Sequence, residues 1–268
     1  KWEIVANNTL DLPAIASFIA LGFMLDQDTY YNKIKTVRPA TRFDLDDNNL
    51  ITALCERKMG IGADGLILLR EHEVLDFEMI YYNSDGKTSS MCGNGGRCII
   101  AFAKLLELIE TETTFMAIDG EHKGRIQEDG IYLKMQDVTE IDNLDDALVL
   151  DTGSPHYITI VDDLQNLDVK VEGRKIRNSK PFKKEGINVN FVLDNANLQV
   201  RTYERGVEDE TLSCGTGVVA TAIAIHYANC AKANQLNINT KGGELTVSFE
   251  EVNGVYRNIW LSGDVNMV

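Results

Sequence analysis

The chain contains no Cys-x-x-Cys pair, and its four histidines, His72, His122, His156 and His226, stand far apart. That spacing offers no structural zinc site. The five cysteines, Cys55, Cys92, Cys98, Cys214 and Cys230, are too sparse, and odd in number, for a disulfide framework in 268 residues. They read as thiols in a reducing compartment, the cytoplasm. Basic residues are also in short supply, 26 against 41 acidic ones, for a net charge of −15. A surface so acidic repels phosphate backbones and anionic lipid headgroups, so neither nucleic acid nor a membrane surface is an expected partner. No apolar run reaches the roughly 20 residues of a membrane-spanning helix. The longest, Leu12–Leu25, follows Glu3 and Asp11 rather than a basic segment, which argues against a signal peptide. It reads as a packed helix with Asp11 as N-cap and Pro13 in the first turn. Low-complexity tracts and long blocks of like charge are missing as well.

What is present is an ordinary globular composition, 44% hydrophobic and 25% charged, in a chain long enough for two cores. Strand patterns occur at Gly65–Leu69, Phe77–Tyr82, Ile131–Met135, Tyr157–Val161, Val189–Leu193, Gln199–Tyr203, Leu245–Glu250 and Asn258–Leu261. Two further segments, Arg97–Leu108 and Val218–Ala228, read as helices apolar on nearly every side. A helix with no polar face belongs in an interior. One lies in each half of the chain, so two cores are expected.

The halves also repeat each other. From Phe77 and from Leu198 the chain runs through a strand, a tyrosine, a polar pair, a glycine turn, then Cys-Gly-x-Gly and a buried helix. With Cys92 set against Cys214, a gap of one residue brings Tyr82-Asn83 onto Tyr203-Glu204. Two pseudo-symmetric α/β domains follow, each presenting one cysteine from a strand–loop–helix unit.

Each of these cysteines stands where a helix should begin. Unpaired N–H groups and the helix dipole favour negative charge there, which encourages a thiolate. The N–H groups of Gly93, Asn94, Gly215 and Thr216 are placed to hold a carboxylate, and the glycines let it come close. Two such thiols on opposite sides of a ligand suit inversion at a carbon. One thiolate takes a proton from one face and the other thiol delivers one to the opposite face. Cys55 and Cys230 read instead as small buried hydrophobes. Cys98, six positions past Cys92 on the presumed helix, shares no face with it.

Ser90-Met91-Cys92-Gly93-Asn94-Gly95-Gly96-Arg97-Cys98 and Ser213-Cys214-Gly215-Thr216-Gly217 resemble the two active-site signatures of the diaminopimelate epimerase family. The resemblance continues through Gly60-Ile61-Gly62-Ala63-Asp64-Gly65, Tyr82-Asn83-Ser84-Asp85-Gly86, Gly153-Ser154-Pro155-His156, Asn188-Val189-Asn190-Phe191 and Tyr203-Glu204-Arg205-Gly206, from about residue 43 to the end. It implies an α+β fold of two domains, each a curved, mainly antiparallel sheet around a central buried helix, with the active site in the cleft between them. The boundaries it suggests are 1–137, with strand 262–268 returning to that domain, and 138–261. It also implies a homodimer that interconverts LL- and meso-diaminopimelate with no cofactor such as pyridoxal phosphate. Cys92 and Cys214 would be the acid/base pair; Gly93, Asn94, Gly215 and Thr216 would hold the reacting carboxylate. Asn83, Asn188, Glu204 and Arg205 would recognise the distal amino-acid end, Arg205 by pairing with its carboxylate.

His156, beside Pro155, reads as a residue that fixes local structure, and Asp64 and Asp85 as loop braces. Two departures stand out. Ser154 occupies a position where many family members carry Asn. The Gly-Asn-Asp-Phe segment that usually follows the family's first strand has no counterpart, since residues 1 to about 42 read as a polar start, an apolar helix and a polar stretch, with Asn7 and Asn8 out of context. The alternatives are a proline or hydroxyproline epimerase of the same architecture, a silent paralogue that binds an amino acid or a partner protein, and a thiol redox protein. Charged recognition at both substrate ends favours diaminopimelate over proline.

Overall fold

The computed structural model describes residues 2–5, 18–24, 48–60, 62–63, 65–88 and 91–267, with backbone alone for 2–5, 18–24 and 266–267. The chain divides into two compact units, residues 1–131 with 264–268, and residues 132–263. In chain order the first elements are β1 (Trp2–Val5), β2 (Phe18–Met24), α1 (Asn48–Cys55), β3 (Gly65–Arg70), β4 (Phe77–Asn83), α2 (Gly93–Leu105), β5 (Glu112–Ala117) and β6 (Gly120–Gln127). There follow β7 (Gly130–Lys134), β8 (Ile141–Leu144), β9 (Ala147–Asp151), β10 (Pro155–Ile160), α3 (Val169–Arg177), β11 (Asn188–Leu193), β12 (Gln199–Glu204) and β13 (Asp209–Thr211). The last are α4 (Gly215–Tyr227), β14 (Gln235–Thr240), β15 (Gly243–Val252), β16 (Val255–Gly263) and β17 (Asn266–Met267). Among the described residues no helix is long and apolar enough to cross a membrane.

In the first unit the strands lie in the order β17–β1–β2–β3–β4–β5–β6, parallel at β17/β1 and β4/β5 and antiparallel elsewhere. The second unit holds β11 and β12 antiparallel, β12 and β14 parallel, and β14, β15 and β16 antiparallel. Strands β9 and β10 extend it on the far side of β11. The repeat seen in the sequence is therefore a repeat of topology. A hairpin, β3–β4 or β11–β12, leads through a buried helix, α2 or α4, into a second hairpin whose first strand, β5 or β14, is parallel to the first hairpin's second strand, β4 or β12; in the second unit the short β13 intervenes before the helix. Parallel neighbours need such a crossover, and the helix fills it.

Helix α4 is buried from Val218 to Ile225, as a sequence apolar on every face requires. It lies against β9–β12 and β14–β16, so the sheet of that unit wraps it. Helix α2 is buried from Gly93 to Ile100 and again at Phe102 and Ala103, and Lys104 marks its outer side.

Three expectations need correction. Phe18–Met24 is a strand, paired antiparallel with β1 and β3, and not part of a helix. Trp2–Val5, in the supposedly polar start, is a strand too. A short apolar run carries no period that separates helix from buried strand, and the aromatic and glycine content of FIALGFM suits a strand. Asp11, Pro13, Asn7 and Asn8 lie outside the described residues, as does Asp64. Cys230 is exposed, because α4 stops at Tyr227 and the chain turns out through Asn229 at φ 59°.

Helix α3 was not legible in the sequence. Its VKVEGRKIR alternates like a strand. It is a helix because the Asp168 carboxylate caps Val171 N–H at 3.0 Å, and because Gly173 lies flat on Tyr203, where an added Cβ would come within 2.4 Å of the tyrosine's own Cβ.

Ile223→Ala, in the fully buried face of α4, should destabilise the protein by about 2–5 kcal/mol, whereas Val171→Ala on exposed α3 surface should cost no more than about 0.5 kcal/mol. Urea unfolding followed by circular dichroism measures both.

Candidate active site

Cys92 and Cys214 are the N-caps of α2 and α4. Their backbones are nearly superposable, with φ −109° and ψ 118° at Cys92 and φ −116° and ψ 108° at Cys214. Cys92 Sγ accepts from Gly95 N–H at 3.5 Å, and Cys214 Sγ lies 3.5 Å from Thr216 Oγ1. The carbonyl of Cys92 accepts from Gly96 N–H and that of Cys214 from Val218 N–H, which starts each helix. The amides of Gly93, Asn94, Gly215 and Thr216 fall in first turns, where a helix supplies no carbonyl for them. All five cysteines are thiols. Burial pushes the Cys98 thiol up, so it stays protonated inside the first unit. No group of three or more His, Cys, Asp or Glu among the described residues could hold a metal ion.

Around Cys92 the support comes from Arg97, a buried guanidinium that donates to Gly93 O at 3.3 Å and to Asn94 Oδ1 at 3.0 Å. It fixes the first turn of α2 and keeps the Asn94 side-chain oxygen occupied. Burial pulls the Arg97 pKa below its usual value, opposed by Cys98, Cys92 and Asp264. Asn83 ends β4 as an exposed residue, with its backbone closing a turn to Lys87 that Gly86 makes possible at φ 82°. Asp85 braces that turn by accepting from Lys87 N–H at 3.0 Å.

In the second unit the structure brings together Asn188, Ser154 and Arg205. Asn188 Nδ2 donates to Ser154 Oγ at 2.8 Å and to Pro155 O at 3.1 Å, and its Oδ1 accepts from Arg205 N–H at 2.8 Å. The Arg205 guanidinium reaches Ser154 Oγ at 3.4 Å and Glu185 O at 3.3 Å. Glu204 is the preceding residue at the end of β12, half-buried. The turn carrying Arg205 is held from below by Glu208. Its carboxylate accepts from Gly206 N–H at 3.2 Å, Arg177 Nε at 3.1 Å and Tyr203 Oη at 2.9 Å. Burial raises the Glu208 pKa, but those three donors outweigh it and hold the group below its usual value. The sequence reading missed Glu208 and Arg177, which sit in charged stretches that carry no motif.

The Gly153–Ser154 loop is pinned to the start of α4 by Thr152 Oγ1, which donates to Thr216 O at 2.8 Å. Behind it His156 is completely buried, with Nε2 2.9 Å from Thr216 Oγ1 and Nδ1 3.0 Å from Asn190 Nδ2. Burial, helped by the charge of Arg205, lowers its pKa to about 3, so the ring is neutral at working pH.

The profile of the family described as "Diaminopimelate epimerase" matches residues 35–139 and 148–268. The chain belongs to the diaminopimelate epimerase family.

A protein of that name from Flavobacterium psychrophilum is 52% identical over 229 residues, 84% of this chain and 90% of the relative. Another from Chlorobaculum tepidum is 41% identical, over 81% of this chain and 88% of its own. Among solved structures, a phenazine biosynthesis protein of the PhzF family from Bacillus anthracis aligns with a TM-score of 0.64 at 13% identity, covering 83% of this chain and 86% of that one. A hydroxyproline epimerase from Agrobacterium vitis aligns at TM-score 0.57 and 16% identity, over 79% and 76%. These structures share the fold. Ser154, at the position where Asn was expected from the resemblance, contacts both Asn188 and Arg205.

His156 also yields a linkage test. An unfolded histidine takes a proton near pH 6.5, while the folded one stays neutral down to about pH 3. Between those values the unfolded state binds more protons, so stability is full above about pH 6.5 and falls as the pH drops. From pH 7 to 5 the wild type should lose up to about 2 kcal/mol more than His156→Gln does, measured by urea unfolding across that range.

Proposed function

We propose that this chain interconverts LL- and meso-diaminopimelate, with Cys92 and Cys214 as the two bases and no cofactor. The observation that carries the proposal is the doubled N-cap. Two cysteines with matching backbone geometry head two buried helices, each followed by glycine-flanked amides.

In the forward direction one cysteine, as thiolate, takes the α-proton of the substrate and becomes a thiol. The electron pair left on the α-carbon delocalises into the attached carboxylate, whose oxygens gain negative charge. The other cysteine, as thiol, gives its proton to the opposite face and becomes the thiolate. The reverse reaction exchanges the roles. Amides at a helix N-terminus are already oriented toward the place where that charge develops, so they stabilise it without rearranging. Gly93, Asn94, Gly215 and Thr216 supply them. Each thiol serves one face of the same carbon, so neither substitutes for the other.

The distal end carries a second ammonium and a second carboxylate. Arg205 pairs with that carboxylate, and Glu204 with Asn83 or Asn188 accepts from the ammonium. Asn188 has a second task, since its amide also spans Ser154, Pro155 and Arg205. Each of the two compact units serves as one epimerase domain. Membership of the family suggests a homodimer, and five thiols suggest a reducing cytoplasm; size-exclusion chromatography with light scattering tests the first.

Solvent deuterium uptake at the α-carbon of LL-diaminopimelate is the deciding experiment. Cys92→Ala and Cys214→Ala should each abolish epimerisation, while Cys55→Ala and Cys230→Ala leave it nearly intact. Near-normal turnover by either of the first two would sink the two-base scheme. Arg205→Ala should lower kcat/KM by roughly 2–5 kcal/mol of transition-state binding, because the distal carboxylate loses its partner. Lysine, which lacks only that carboxylate, should be a poor substrate for the wild type. Turnover of hydroxyproline or lysine on a par with diaminopimelate would overturn the recognition at both ends.

A further inference from the structure

The hydrogen bonds beneath Cys214 have a fixed direction. Asn190 Nδ2 lies 3.2 Å from Tyr157 O, which can only accept, so the amide orientation is determined. Its Oδ1 accepts from Thr202 Oγ1 at 2.9 Å. The other hydrogen of Nδ2 points at His156 Nδ1, 3.0 Å away. An amide NH2 donates only, so Nδ1 must offer its lone pair and the ring proton must sit on Nε2. Nε2–H then donates to Thr216 Oγ1 at 2.9 Å. With that oxygen accepting from the ring, the Thr216 hydroxyl proton is turned toward Cys214 Sγ at 3.5 Å. We propose that Asn190 is a positioning residue for Cys214: it holds His156 in the Nε2–H tautomer, and so makes Thr216 a donor to the Cys214 thiolate.

The internal repeat supplies an independent argument. In the second unit Asn190 pairs with Thr202 across β11–β12, and in the first unit Ile67 pairs with Tyr81 across β3–β4. Tyr81 and Thr202 are equivalent in the repeat, each preceding the tyrosine that the two halves share. Ile67 and Asn190 are equivalent by contact as well. A Cβ added at Gly95 would meet Ile67 Cδ1 at 2.9 Å, and one added at Gly217 would meet Asn190 Oδ1 at 2.5 Å. Gly95 and Gly217 each stand three residues after the cysteine. The same niche under the first turn is thus aliphatic in one unit and an amide in the other. The fold accepts isoleucine there, and burying an amide gains nothing by itself. What Asn190 adds is the direction of the chain that ends on Cys214. Gly217 is accounted for by the same contact, since any side chain there would displace the Asn190 oxygen.

Arg205 is the charged group whose field reaches His156, and it too disfavours the imidazolium that would break the sequence of donors. The proposed role rests on the reading of Cys214 as an acid/base thiol; the tautomer does not.

Two measurements test it. Nitrogen-15 NMR of histidine-labelled protein should show His156 neutral with its proton on Nε2 from pH 5 to pH 8, a range set by the ordinary histidine pKa of about 6.5. A proton on Nδ1, or titration within that range, would overturn the proposal. Alkylation by iodoacetamide, resolved by peptide mass spectrometry, then compares Cys214 with Cys92 in the wild type, Asn190→Leu and Asn190→Asp. A carboxylate at 190 accepts only, so it should draw the proton to Nδ1, leave Nε2 to accept from Thr216, and turn the hydroxyl away from Cys214. Alkylation of Cys214 at neutral pH should fall about tenfold in both variants with Cys92 unchanged. Thr216→Val should reproduce the fall and Thr216→Ser should reverse it, which keeps the test open if the Asn190 variants fail to fold. Unchanged Cys214 reactivity in folded variants, or an equal fall at both cysteines, would refute the role. Alkylation needs no diaminopimelate, so a protein inactive on that substrate still answers the question.

Discussion

A helix buried on every face has nowhere to send the amides of its first turn. At a surface, water takes them; in an interior they remain a concentration of positive potential. Helix α4 is of this kind, α2 is buried from Gly93 to Ile100, and both begin at a cysteine. The chain gives each helix a thiol at the cap and glycine immediately after it, so no side chain at that position shields the positive end of the helix. Much of the architecture serves this condition. The sheets wrap the helices to bury them, the parallel crossovers set where they start, and Arg97 or Thr152 pins each first turn from below.

The two halves share this plan but not its details. Beneath Gly95 the niche is closed by Ile67 and Met79, and the local cation is Arg97. Beneath Gly217 it is closed by Asn190 and His156, both neutral, linked through Thr216 to the sulfur. Duplication supplied a scaffold with two equivalent caps, and the buried layer under each cap then diverged. In the two-base scheme proposed above, two thiols that exchange roles do not need identical surroundings. They need surroundings in which each is able to hold and release a proton, and a buried cation on one side and a directed chain of neutral donors on the other are two ways to meet that need.

Around Arg205 the same economy appears in another form. Asn188 ties Ser154, Pro155 and Arg205 together through its amide. Glu208 spends its carboxylate on the turn that carries Arg205. A guanidinium on a long, flexible stem is useful for recognition only if its base is rigid, because ordering it later costs rotamer entropy. The serine at position 154 fits here. Its hydroxyl both accepts from Asn188 and lies within reach of Arg205, so it joins the brace to the guanidinium despite its short length.

The sequence by itself determined the repeat, the two buried helices and the two capping cysteines. Those signals are local: an unbroken apolar helix, a glycine after a cap and a matching order of strand, turn and helix all lie within thirty residues. It also pointed to Asn188 and Arg205 through contiguous motifs. The strands at Trp2–Val5 and Phe18–Met24, helix α3 and the exposure of Cys230 were decided by tertiary structure. An apolar run of seven residues fits a strand or a helix equally well until partners are chosen, and VKVEGRKIR becomes helical only when Gly173 meets Tyr203. Asn190 was visible only as part of the Asn188-Val189-Asn190-Phe191 motif. That its amide faces His156, and that its counterpart is Ile67, depends on which strand lies beside β11 and which helix starts above it. Hydrogen-bond direction between residues tens of positions apart is a property of packing, and no local pattern encodes it.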